Sequence, residues 1–140
     1  MREYDRLCSM KFREMDMKVF VADDSALLRE KIIGVLSELN GIEIIGQAKA
    51  ALEAYYAIRQ LKPDIVTLDI QMIGGSGIDV LKRIRQDDHA TVIIMLTNFS
   101  SDPYRRRCLE AGADFFLDKS TEFGKVREII NSLLDRLRGH

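Results

Sequence analysis

Two cysteines, two prolines and two histidines among 140 residues exclude several designs at once. Cys8 and Cys108 are too few for a disulfide scaffold and fit a reducing compartment. His89 lies in the polar stretch from Gln86 to Ala90 with no second ligand near it, so no histidine chemistry is assigned. The charge balance is 21 basic against 22 acidic side chains, a net of −1, which removes any global electrostatic case for nucleic acid or a membrane surface. Arg105, Arg106 and Arg107 do not restore it, because successive helical side chains point about 100° apart and make no single patch. No apolar run approaches the roughly 18 residues of a spanning helix, and the N-terminus lacks the apolar centre of a signal peptide. The expectation is a cytoplasmic protein with no membrane partner and no direct nucleic-acid partner.

What is present suits one α/β domain. A chain that is 46% hydrophobic and 31% charged has enough Leu, Ile and Val for a real core. Residues 1–16 are charged and irregular and are read as a flexible extension without a function, and residues 17–140 as the domain. Short β-branched runs alternate with longer amphipathic ones. Strands are expected at Lys18–Ala22, Ile42–Gly46, Ile65–Leu68, Val92–Leu96 and Phe115–Leu117. Between and after them, helices are expected at Ser25–Leu39, Leu52–Leu61, Ile78–Gln86, from Asp102 to just before Gly112, and at Phe123–Leu137. Both prolines punctuate helices: Pro63 stops the second, and Pro103 sits in the first turn of the fourth behind an Asp102 cap. Gly74-Gly75-Ser76-Gly77 lacks a following Lys-Ser/Thr pair and reads as a flexible loop rather than a phosphate cradle. Five alternations imply a parallel sheet with helices on both faces.

Four strands end on chemistry. Asp23 and Asp24 follow the first, Asp69 the third, Thr97 the fourth, and Asp118-Lys119 the fifth. In an open parallel sheet these C-terminal tips share the edge where ligands bind. Three carboxylates there repel one another unless a proton or cation offsets them, and Mg²⁺ prefers such hard oxygen ligands beside phosphate oxygens. Asp69 is therefore read as the nucleophile that accepts a phosphoryl group. Asp24 binds Mg²⁺ directly, Asp23 through water, and the Gln71 backbone carbonyl adds an oxygen. Lys119 pairs with one phosphoryl oxygen and Thr97 donates to another.

With Asp23-Asp24, Asp69-Ile70-Gln71-Met72, Gly77, Thr97, Phe116 and Lys119 all in order, the chain resembles a response-regulator receiver domain of bacterial two-component signalling. The resemblance spans Met17 to Leu137. It implies a flavodoxin-like (βα)5 fold, a doubly wound five-stranded sheet of order 2-1-3-4-5. It also implies a sensor histidine kinase or phosphotransfer protein as donor, and a switch in which Thr97 moves toward the phosphate and Phe116 turns inward. That reshapes the face of helix four, strand five and helix five for a downstream partner; monomer and a homodimer through this face both stay open.

Departures from the pattern are Ile73 and Ser120 where proline is usual, a large Asn98 beside Thr97, and Gln71 and Phe99 at positions that bear on phosphoryl lifetime. The chain is read as a phosphoacceptor and not as a turnover enzyme. One rival is a Mg²⁺-dependent phosphohydrolase, disfavoured by Gln71 where a second acid is wanted. Another is a pseudo-receiver that binds proteins without phosphorylation, which the full acidic set argues against.

Overall fold

The computed structural model describes residues 16–137. The expected flexible extension lies outside the described residues except for Asp16. Strands β1 (Met17–Ala22), β2 (Ile42–Ala48), β3 (Ile65–Leu68), β4 (Val92–Thr97) and β5 (Phe115–Asp118) alternate with five helices. These are α1 (Ala26–Ser37), α2 (Ala51–Leu61), α3 (Gly77–Arg85), α4 (Asp102–Glu110) and α5 (Lys125–Leu137). All strand pairs in the sheet are parallel and the order is β2-β1-β3-β4-β5, as the resemblance implied.

Alternation along the strands sorts side chains onto two faces. Phe20, Val66, Leu68 and Met95 meet Ala54 and Ile58 of α2, Leu81 and Ile84 of α3, and Cys108 of α4. Val19, Val21, Ile65, Ile94 and Leu96 meet Ile32 and Leu36 of α1 and Val126, Ile130 and Leu134 of α5. Every residue of β3 is buried, so the strand that ends on Asp69 is the centre of both cores. No helix among the described residues is long and apolar enough to cross a membrane.

Four local expectations are corrected. β2 runs two residues further than the β-branched run suggests, since its end pairs in register with Val21 and Ala22 of β1. The N-cap of α4 is Ser101, which leaves Asp102 in the first turn. The last helix begins at Lys125, because residues 118–122 are held in a turn described below. The glycine stretch is no loose loop. Gly75 and Ser76 form a two-residue antiparallel ribbon with Gln71 and Met72, and the Ser76 hydroxyl caps α3 by accepting from the Ile78 N–H at 3.1 Å.

Ile73, at the bend of that ribbon, is also tied down. Its N–H donates to Lys49 O at 3.1 Å and its carbonyl accepts from Ala51 N at 2.9 Å. A proline there would lack the first of these bonds.

Candidate functional site

Backbone bonds between strand tips bring the predicted residues to one edge. The Asp23 N–H donates to Ala48 O at 3.0 Å, Asp69 N–H to Ala22 O at 3.0 Å, and Lys119 N–H to Thr97 O at 3.0 Å. Each bond crosses to a neighbouring strand, so residues as far apart in the chain as Asp23 and Lys119 share one corner of the sheet.

Asp23 and Asp69 are buried at 1% and 3% exposure, and Asp24 is half-buried. Carboxylate oxygens from all three lie within 4.8 Å of one another. Lys119 Nζ lies 2.8 Å from Asp23 Oδ2 and 2.8 Å from Asp69 Oδ2. Asp23 is fixed further by the Ser25 N–H, which donates to its Oδ1 at 2.9 Å, and by Arg29 Nη1, which donates to its backbone carbonyl at 2.7 Å.

One cation does not balance this corner. Burial pushes the Asp23 carboxyl above the ordinary carboxylate value; the Lys119 and Ser25 hydrogen bonds oppose the rise and the Asp69 charge adds to it. Burial also pulls the Lys119 ammonium down, yet its hydrogen bonds to Asp23 and Asp69 more than offset that and hold it above the ordinary lysine value. Asp69 Oδ1 is buried with no hydrogen-bond partner among the described residues. A buried carboxylate oxygen without a donor is costly until something completes it. Three converging carboxylates with an orphaned oxygen thus fit a hard divalent cation.

The other predicted residues surround that corner. Thr97 is fully buried, and its Oγ1 accepts from the Phe99 N–H at 3.0 Å, which leaves the hydroxyl proton free to donate elsewhere. Gln71 is exposed on the ribbon, paired with Ser76. Gln71 and Phe99 line a common recess with Ile78, Tyr104 and Arg107. Phe116 is in the core, and Arg105 covers it, with the guanidinium 5.4 Å from the ring centroid and Nη1 donating to Phe116 O at 3.2 Å. The ring lies on the inner side, the side toward which the resemblance has it turn.

Sequence reasoning missed two contributions. A β-carbon added at Gly77 would lie 1.8 Å from Asp69 O, so this glycine lets the α3 backbone press against the backbone of Asp69. Asp118 was noted as a strand-end acid and given no task, yet its carboxylate gathers three donors. Gly77 stands among the positions that carry the resemblance without its steric reason, and a strand-end acid in the chain carries no signal of the Asp118 role.

A family profile described as response regulator receiver domain matches residues 19–131. The chain belongs to this family. As a receiver it is similar to response regulator GacA of Pseudomonas syringae pv. syringae (strain B728a), 30% identical over 114 residues, or 81% of this chain and 53% of GacA. The chain spans about half the length of the response regulators it matches in this way. Among solved structures, the receiver is similar to a DNA-binding response regulator of the LuxR family from Staphylococcus aureus. That pair has 26% identity and a TM-score of 0.76, covering 84% of this chain and 98% of the other. It is also similar to the CheX–CheY–BeF3–Mg²⁺ complex from Borrelia burgdorferi, with 28% identity and a TM-score of 0.77, covering 84% and 88%. The receiver is a signal-transduction module of response regulators. Since one such relative is a DNA-binding regulator, balanced charge in these residues does not support the expectation that no nucleic acid is involved.

Proposed function

We propose that this receiver, residues 17–140, accepts one phosphoryl group on Asp69 from a phosphohistidine of a sensor histidine kinase or phosphotransfer protein. The observation that carries the reading is the Asp69 carboxylate itself. It is buried at the tip of the central strand, one oxygen is held by Lys119, and the other has no hydrogen-bond partner among the described residues. An Asp69 oxygen attacks the phosphorus, the phosphorus–nitrogen bond breaks, and its electron pair stays with the donor imidazole, leaving an aspartyl phosphate.

Asp24, Asp69, the Gln71 carbonyl and, through water, Asp23 would hold Mg²⁺, which when bound neutralises charge on the phosphoryl oxygens. Lys119 releases its carboxylate contacts to pair with one of those oxygens, and the Thr97 hydroxyl donates to another. The Thr97 segment and Phe116 then alter the face built from α4, β5 and α5, which a downstream partner reads. A homodimer through the same face is one form that partner takes. In this reading each chain carries one phosphoryl group in the cytoplasm and is not a turnover enzyme.

Intact-mass measurement after incubation with acetyl phosphate tests this. A gain of one phosphoryl group is expected with Mg²⁺ and none with chelator, and Asp69→Asn is expected to abolish it. A folded wild type that gains nothing from a small donor or a kinase in Mg²⁺ would overturn the proposal.

A further inference from the structure

Beyond Lys119 the chain closes on itself around Asp118. Its Oδ1 accepts from the Ser120 N–H at 2.7 Å and the Thr121 N–H at 3.0 Å, and its Oδ2 accepts from the Ser100 hydroxyl. The Asp118 N–H donates to Glu122 Oε1 at 3.1 Å, and its carbonyl accepts from the Glu122 N–H at 2.9 Å. The Ser120 hydroxyl reaches Asn98 Oδ1 at 3.4 Å.

The partners of the carboxylate come from two segments. Ser120 and Thr121 follow Lys119, whose Nζ crosses to Asp23 and Asp69. Ser100 belongs to the segment that leads from Thr97 into α4. A charged acceptor binds such neutral donors more strongly than a neutral one does. One carboxylate therefore ties the backbone that carries the ammonium to the segment that carries the hydroxyl.

We propose that Asp118 is a positioning residue for phosphoryl capture, holding the Lys119 ammonium and the Thr97 hydroxyl in register with each other. The inference rests on the reading of Lys119 and Thr97 as phosphoryl ligands. A lysine has a long, rotamer-rich side chain, so where its ammonium arrives depends on how firmly its Cα is held. The turn at residues 118–122 fixes that anchor, and the Ser100 bond extends the hold to the neighbouring loop. Misplacement by about 1 Å is enough to cost roughly a hundredfold in a reaction that depends on positioning.

The test is calorimetric titration of the full chain with beryllofluoride, a phosphoryl mimic, at saturating Mg²⁺, alongside Mg²⁺ titration without it. Ser100→Ala is expected to weaken beryllofluoride about tenfold, the equivalent of one lost hydrogen bond to a charged group. Asp118→Asn is expected to weaken it at least as much. Both are expected to leave Mg²⁺ affinity within about twofold, and Ser100→Thr, which keeps the hydroxyl, is expected to restore binding. In a Lys119→Met background Asp118→Asn is expected to have lost most of its effect.

Folded variants that bind beryllofluoride as the wild type does overturn the inference alone. So does an equal loss of both affinities, which would make Asp118 a turn cap and nothing more. A wild type that fails to bind beryllofluoride with Mg²⁺ overturns the phosphoryl reading and this inference with it.

Discussion

Lys119 Nζ stands 2.8 Å from Asp23 Oδ2 while it also holds Asp69, so a single buried cation serves two buried carboxylates. Asp23 carries the imbalance, with a carboxyl raised above its ordinary value chiefly by burial. A carboxyl raised in the fold favours its protonated form there. Its contribution to stability is present below the unfolded value, about 3.9, and is lost as pH rises through the folded one. In chelator at neutral pH the wild type therefore carries the cost of an ionised Asp23 that an amide does not incur. Asp23→Asn is expected to melt higher than wild type in chelator. The gap should open as pH rises from about 4 and then level off, and Mg²⁺ should narrow it by stabilising the wild type alone. Thermal melts across pH, with and without Mg²⁺, measure this; an Asn variant that melts lower than wild type in chelator at every pH refutes it.

Gly77 and Gly34 predict opposite signs for the same substitution. An alanine at 77 drives its β-carbon into the Asp69 carbonyl, a backbone group that cannot swing aside. Gly77→Ala is expected to lose about 3 kcal/mol and to slow phosphorylation of Asp69, because the displaced backbone is the one that carries the acceptor. Gly34, exposed on α1, has nothing within 4 Å of an added β-carbon. Gly34→Ala is expected to gain about 0.5–1 kcal/mol through helix propensity and a less free unfolded chain. Urea titrations of both variants, with acetyl phosphate kinetics for the first, decide the matter; equal effects at the two sites would contradict it.

Thr67 is buried on β3 at 1% exposure, and its hydroxyl has no partner among the described residues. It shares its side of the sheet with Val21 and Ile94, which flank it in register and belong to the α1/α5 core. Valine has the same shape without the unsatisfied group. Thr67→Val is expected to stabilise the fold by about 1 kcal/mol and to leave phosphorylation unchanged. A variant that unfolds at lower urea than wild type would show that the hydroxyl has a partner after all.

Much of this protein is legible locally. Short apolar runs, β-branched in β3 and β4 and aromatic in β5, each ending at an acid or a hydroxyl, mark these strands. The 3.6-residue stripe of Val126, Ile130 and Leu134 marks α5. The alternation of the two periods gives a parallel sheet covered on both faces. The resemblance to a receiver supplied the strand order, which periodicity does not contain. Two departures from local preference come from pairing between strands. β2 extends because β1 offers partners, and the glycine stretch is ordered because Gln71 and Met72 lie opposite it.

By itself, then, the amino-acid sequence determined which segments become strands and helices and which residues stand at the strand tips, because burial periodicity and capping act over a few residues. The tertiary structure alone decided that Lys119 bridges Asp23 and Asp69, that one Asp69 oxygen is unmatched among the described residues, that Gly77 lies against its carbonyl, and that Asp118 clasps Ser100. Those contacts join strand tips and loops that local preference alone does not bring together. Their geometry comes from how strands stack in register, a property of the packed sheet and of no single stretch of chain.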